Sequence, residues 1–137
     1  MAASFLLLQS PRVRAESQGV TRTYPSAAPC DTTLQACIDG SADGDVINLA
    51  ANIYITSVTL NKAVSLIGAG AASTIIQALP SQRVLTVTAA MNEATQIAGL
   101  TFQGGNAGAA NGGGIFLSAG AQPLLQHIHV VAAGRLD

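Results

Sequence analysis

Val46-Ile-Asn-Leu49, Ser57-Val-Thr-Leu60, Val64-Ser-Leu-Ile67, Ser73-Thr-Ile-Ile76 and Arg83-Val-Leu-Thr-Val-Thr88 follow one another closely. Each is short and rich in β-branched or aliphatic residues. Gly, Asn, Ser and Pro punctuate the segments between them. Gly99-Leu-Thr-Phe102, Gly114-Ile-Phe-Leu-Ser118 and Gln126-His-Ile-His-Val130 continue the series. Such runs predict strands, and no long helical periodicity competes with them. Many short strands with small corners predict an all-β solenoid, each turn of chain lying on the one before it.

Alternation then assigns an inward set: Ile47, Leu49, Val58, Leu60, Val64, Leu66, Leu85, Val87, Leu100, Phe102, Ile115, Leu117, Ile128 and Val130. Asn48, Thr59, Asn61, Ser65, Thr86, Thr88, Thr101, Ser118, His127 and His129 fall on the outward side. Leu66, Leu100 and Ile128 are read as equivalent positions on successive turns.

Composition fits this picture. The chain has 137 residues, 49% of them hydrophobic but only 4% aromatic, with no Trp. A core of Val, Ile, Leu and Ala suits thin layers. Charged residues make up 9%, against roughly 25% in ordinary soluble domains. The polar surface must therefore be built from Thr, Ser, Asn, Gln and Gly. Net charge is −1, and beyond residue 22 the only cations are Lys62, Arg83 and Arg135. That excludes a phosphate-tracking basic stripe, so no nucleic-acid partner is expected. No apolar run approaches the ~20 residues of a membrane-spanning helix.

Residues 1–29 carry Pro11, Pro25 and Pro29 and no periodicity. They read as a disordered arm or as a degenerate export leader. Phe5-Leu-Leu-Leu8 is a short apolar patch followed, rather than preceded, by Arg12 and Arg14. Residues 30–137 then form an N-terminal cap and the first turns of the solenoid. Asp31 or Thr32 is placed to cap a short helix in which Leu34, Cys37 and Ile38 make one apolar stripe. Gly40 ends it. Two or three turns are not stable alone, so the helix is expected to lie over the open end of the strands. Cys30 and Cys37 flank it. Seven residues along a continuous helix span ~10 Å, beyond the about 7 Å that a disulfide tolerates. The pair bridges only if the chain at Cys30 folds back ahead of the helix. A disulfide and two buried thiols both stay open. At the other end the chain stops at Asp137 without an evident cap, the pattern expected of a fragment whose last edge further turns or a partner would cover.

Thr33-Leu-Gln-Ala-Cys-Ile-Asp-Gly-Ser-Ala-Asp-Gly-Asp-Val-Ile-Asn-Leu49 resembles the opening segment of right-handed parallel β-helix proteins of the pectate-lyase-like superfamily. Asn61-Lys-Ala-Val-Ser-Leu-Ile-Gly-Ala-Gly70 is similar to the second-strand signature that follows it, and Thr74-Ile-Ile76 continues it. Phe102-Gln-Gly-Gly-Asn106 with Gly112-Gly-Gly-Ile115 resembles the paired motifs of polymorphic outer-membrane-protein repeats, with Gly114 in place of the commoner Ala. The resemblance covers about residues 32–131. It implies a fold more than an activity, because that fold hosts pectin-acting enzymes, tailspikes and adhesins alike. Gly68 and Gly70 would make a tight corner with positive φ. Asn106 and Gly113 would serve turns.

Chemistry-bearing constellations are sparse. Gly68-Ala-Gly-Ala-Ala-Ser73 imitates a dinucleotide fingerprint, but a β-branched run follows instead of a helix, and no acidic residue stands at the right distance. No cofactor is expected. His127 and His129, two apart on a strand, share an outward face without a third metal ligand nearby. Asp43 and Asp45 read as turn residues around Gly44 rather than a cation site. The candidate ligand-binding residues are Lys62, Arg83, His127 and His129. No catalytic residue and no metal ligand is assigned. Two functions remain in play. One is a non-catalytic secreted or cell-surface module of adhesin or passenger type, displaying flat faces to polysaccharide or surface glycan. The other is a fragment of a polysaccharide lyase or hydrolase lacking its catalytic turns.

Overall fold

A computed structural model describes residues 19–105 and 114–131. The described residues are mostly β, their sheets parallel, with no closed barrel among them. Among the described residues ten strands and one helix follow in the order β1 (Thr21–Tyr24), α1 (Leu34–Asp39), β2 (Val46–Leu49), β3 (Asn52–Ile55), β4 (Val58–Leu60), β5 (Ser65–Gly68), β6 (Thr74–Gln77), β7 (Leu85–Val87), β8 (Gln96–Gln103), β9 (Ile115–Leu117) and β10 (Leu124–Val131).

The strands fall into lanes. In the first, β1 pairs with β2, β2 with β5, and β5 with the start of β8 through Leu66 opposite Ile97. In the second, β3 pairs with β6, and β6 with the end of β8, Ile76 opposite Phe102. β10 runs beside the whole of β8. The third lane is a separate sheet, β4–β7–β9, with Val58 opposite Leu85 and Leu85 opposite Ile115. Every one of these pairings is parallel. From β2 onward no strand pairs with its immediate successor, so each lane gathers strands distant in sequence. From β2 to β8 the connections also stay short. That combination removes hairpins and leaves the sheet ends as the edges to be protected.

The core lies between the lanes. Ile47, Leu49, Val58, Leu60, Val64, Leu66, Leu85, Val87, Leu100 and Phe102 are buried, as alternation predicts. Ile76, Val84 and Ile97 join them. Val84 and Leu85 are adjacent and both buried, because the chain turns there and both amides donate to the Gly114 carbonyl. Thr101 and Ser65, in register with Ile75 and Val46 beside the core rows, are nonetheless buried, because neighbouring chain covers them. The Thr101 hydroxyl donates to the Ala71 carbonyl at 2.5 Å, and the Ser65 hydroxyl accepts from the Gln96 amide at 2.9 Å. A buried hydroxyl is tolerable when so bonded.

The first segment differs from expectation. Residues 21–24 are a sheet strand, not part of an arm. Arg22 fixes them, its guanidinium 2.5 Å from the Asp45 carboxylate. Asp45 also accepts from the amides of Val20 and Ala42, which makes it an organising carboxylate rather than a simple turn residue. The chain then folds back. Cys30 and Cys37 are joined in a disulfide and wholly buried, resolving the two readings left by their spacing. Thr33, not Asp31 or Thr32, caps α1, its hydroxyl accepting from the Ala36 amide. Gly40 closes the helix in the right-handed region. A Cβ there would collide with the Pro29 ring, so the glycine makes room for the folded-back segment.

α1 lies at the end of the third lane. The Gln35 side-chain amide donates to the Thr59 carbonyl at 2.9 Å and accepts from the Thr59 amide at 2.8 Å. One carboxamide thereby imitates a neighbouring strand and satisfies the edge of β4.

Candidate functional site

The outward side of the third lane carries a transverse row. Thr59 stands opposite Thr86, and Thr86 opposite Phe116. Successive side chains of a strand face opposite ways, so this row follows directly from burying Val58, Leu60, Leu85 and Val87. Above it passes the connection from β6 to β7. Its course is set by several bonds. The Ser57 hydroxyl accepts from the Leu79 amide, the Gln82 amide donates to the Leu79 carbonyl, and the Val58 amide donates to the Val84 carbonyl. Ser81 takes a left-handed conformation, φ 61°, uncommon for a residue with a Cβ.

Floor and connection enclose an open depression of about 280 Å³, lined by Ser57, Val58, Thr59, Ser81, Gln82, Arg83 and Thr86. Arg83 lies over the Phe116 ring, its guanidinium carbon 4.5 Å from the ring centroid. That distance is within cation–π range. The lining thus holds hydroxyls, one carboxamide and one fixed positive charge. It contains no carboxylate and no imidazole. Such a site can hydrogen-bond a hydroxylated or anionic ligand, but it offers no general acid or base of its own. Arg83 was marked by the sequence because cations are rare. Thr59, Thr86 and the Ser81–Gln82 rim were not marked as a site, because nothing local shows that three strands bring them together.

The other candidate residues lie elsewhere. The Lys62 ammonium donates to the carbonyls of Asp39, at 2.5 Å, and Ser41, at 2.7 Å. It ties the end of α1 to the chain after β4, a fastening role favoured at a helix C-terminus. His127 and His129 are exposed on β10. His127 has φ 52°, so the simple two-residue alternation that put both imidazoles on one face does not run through it. Among the described residues no three His, Cys, Asp or Glu side chains gather as a metal set. Asn106, Gly113 and Arg135 lie outside the described residues.

The glycine corner is also redrawn. Gly70 has φ 152°, whereas Gly68 is not in the positive-φ region. Gly68 is needed for closeness, since a Cβ there would strike the Gly99 carbonyl. The segment after Gly70 is strand β6, not the helix a dinucleotide site needs.

Two ionisable groups outside the depression are perturbed. Burial pushes the Asp45 carboxyl up. The bonds from the Ala42 and Val20 amides and from Arg22 more than offset it, holding the group below its ordinary value. Burial, and then the neighbouring Tyr24, raise Tyr54. Its hydroxyl donates to the Ala50 carbonyl at 2.6 Å.

No helix of the described residues is long and apolar enough to cross a membrane. No family model, no curated protein and no solved structure matches this chain.

Proposed function

We propose that the chain is a stretch of right-handed parallel β-helix, working as a non-catalytic secreted or cell-surface module that contacts polysaccharide or surface glycan. Parallel lanes built from successive passes of chain support the architecture. The buried disulfide favours an oxidising compartment, since such bridges are rare in the cytosol. A partner edge or a further turn laid against β10 would bury the half-exposed apolar residues of that end.

One observation carries the binding reading over the enzymatic one. The depression on the third lane presents hydroxyls, a carboxamide and a guanidinium without a carboxylate. Glycoside hydrolysis ordinarily needs two carboxyl groups flanking the bond. Hydroxyl and amide groups, by contrast, are what sugar hydroxyls pair with.

The test is to incubate the intact protein with pectin-like and neutral polysaccharides. Retention on the polymer and the appearance of reducing or unsaturated ends are both recorded. Retention without new ends is expected. Turnover would overturn the non-catalytic reading, and failure to be retained by any polymer would overturn the glycan reading.

A further inference from the structure

We propose that residues 30–41 form a redox-sensitive lid. It opens without the lanes, which brings a dithiol reductant to the Cys30–Cys37 bridge, and once reduced it no longer holds the edge of β4.

The covalent link comes first. Cys30 and Cys37 lie seven positions apart, so the bridge closes the cap on itself and crosses to no strand. It sets the fold-back around which the cap is built. The Cys30 amide donates to the Ala27 carbonyl and the Ser26 amide to the Cys30 carbonyl. The Ser41 hydroxyl donates to the Cys37 carbonyl at 2.8 Å. α1 itself has six residues, too few to persist without such support. The lanes are held differently, by backbone ladders that run from strand to strand. Cutting the bridge melts the cap and spares the lanes.

Fastening is the second argument. Side chains, not a ladder, join the cap to the strands. Gln35 exchanges two bonds with Thr59. The Lys62 ammonium donates to the Asp39 and Ser41 carbonyls, and the Tyr24 hydroxyl reaches the Thr32 carbonyl at 3.4 Å. Leu34 and Ile38 add buried apolar surface. A unit held in this way opens at lower cost than a strand inside a ladder.

Access is the third. Both cysteines are fully buried, so a thiolate reaches neither sulfur while the lid is closed, and opening must come before exchange. In the open state one thiolate of the dithiol attacks a cysteine sulfur. The S–S bond breaks and the other cysteine leaves as its thiolate. The second thiol of the reductant then displaces the first cysteine from the mixed disulfide. Two electrons and two protons pass to the protein, and the dithiol becomes a disulfide. Without the bridge the cap melts, Gln35 leaves Thr59, and the edge of β4 is bare. Thr59 also lines the depression on the third lane, so the change ends at an outer surface. The lid does not depend on what that depression binds.

The full-length oxidised protein is exposed to dithiothreitol under native conditions. Thiols are counted by alkylation and mass, and amide exchange is followed in both redox states. Reduction is expected to reach completion, at a rate that depends far less on urea than global unfolding does, because a local opening exposes less surface. Exchange should quicken at Cys37, Gly40 and Thr59, stay slow at Leu100 and Phe102, and return to its first pattern on reoxidation. Gln35→Ala and Lys62→Met should each speed reduction about fivefold, the effect of losing one ordinary hydrogen bond. A urea dependence as steep as that of global unfolding would overturn the separate lid, as would lost protection at Leu100. A reduced protein whose Thr59 amide stays protected would overturn the link from bridge to edge. Unchanged rates in both variants would overturn the fastening, and a bridge that resists dithiothreitol altogether would overturn the proposal.

Discussion

The end of the molecule beneath α1 and the end formed by β9 and β10 carry the same alternating pattern, yet only the first is sealed. In the third lane Leu60, Val87 and Leu117 occupy one register position. Leu60 and Val87 are fully buried, while Leu117 is 37% exposed. In the neighbouring sheet Phe102 is buried, and Val130, its partner in register, is 51% exposed. Pattern decides which way a side chain points. Burial needs something laid on top. At the first end that covering is a six-residue helix held by a disulfide, a lysine and one glutamine. Among the described strands, β9 and β10 have one neighbour each.

The contrast can be broken most forcefully in the core. Leu66→Ala should cost about 3 kcal/mol in chemical denaturation, the usual range for a fully buried leucine. Val130→Ala should cost less than about 0.5 kcal/mol, as a surface change does. Similar losses at both positions would mean that the open end is covered in solution.

The Arg22–Asp45 pair comes next. Asp45→Asn should cost about 2 kcal/mol, because it leaves a guanidinium without its charged partner. Since the folded carboxyl titrates below its ordinary value, its contribution is complete above the ordinary carboxylate range and lost as pH falls through the lowered folded value. Denaturation curves collected down that range should slope for the parent chain and flatten for Asp45→Asn.

Removing the bridge with Cys30→Ser and Cys37→Ser together should cost about 2 kcal/mol. Hydrogen exchange should then speed up at Thr59 and Leu60 while amides of β8 stay protected. Gln35→Ala should cost less than the bridge, about 1 kcal/mol, with the Thr59 amide losing protection first. An unchanged Thr59 amide would remove the glutamine from the account of the sealed edge.

The sequence told strands from helix well and told neighbours poorly, and Gly99 shows why. Leu100 and Ile128 pair as their spacing implies. Leu66, grouped with them, pairs instead with Ile97. Gly99 takes φ 67° and turns β8 between its two halves, so a strand read from Gly99 onward catches only the half beside β6, and the first half, beside β5, goes unread. His127 makes the same turn opposite it in β10. A backbone dihedral of this kind leaves no mark in a hydrophobic pattern, least of all at a histidine. β1 and β3 were also missed, the first hidden among prolines and the second because its apolar residues Ile53 and Ile55 face outward. Of the candidate site, Arg83 stood out by scarcity. Its floor depended on parallel pairing across residues nearly thirty apart, which no local signal encodes.

Methyl NOEs in the full chain test the parallel lanes most directly. Cross-peaks are expected between Leu66 and Ile97, Val58 and Leu85, and Leu85 and Ile115. Hairpin contacts between successive strands, such as β4 with β5 or β6 with β7, in place of those three would contradict it.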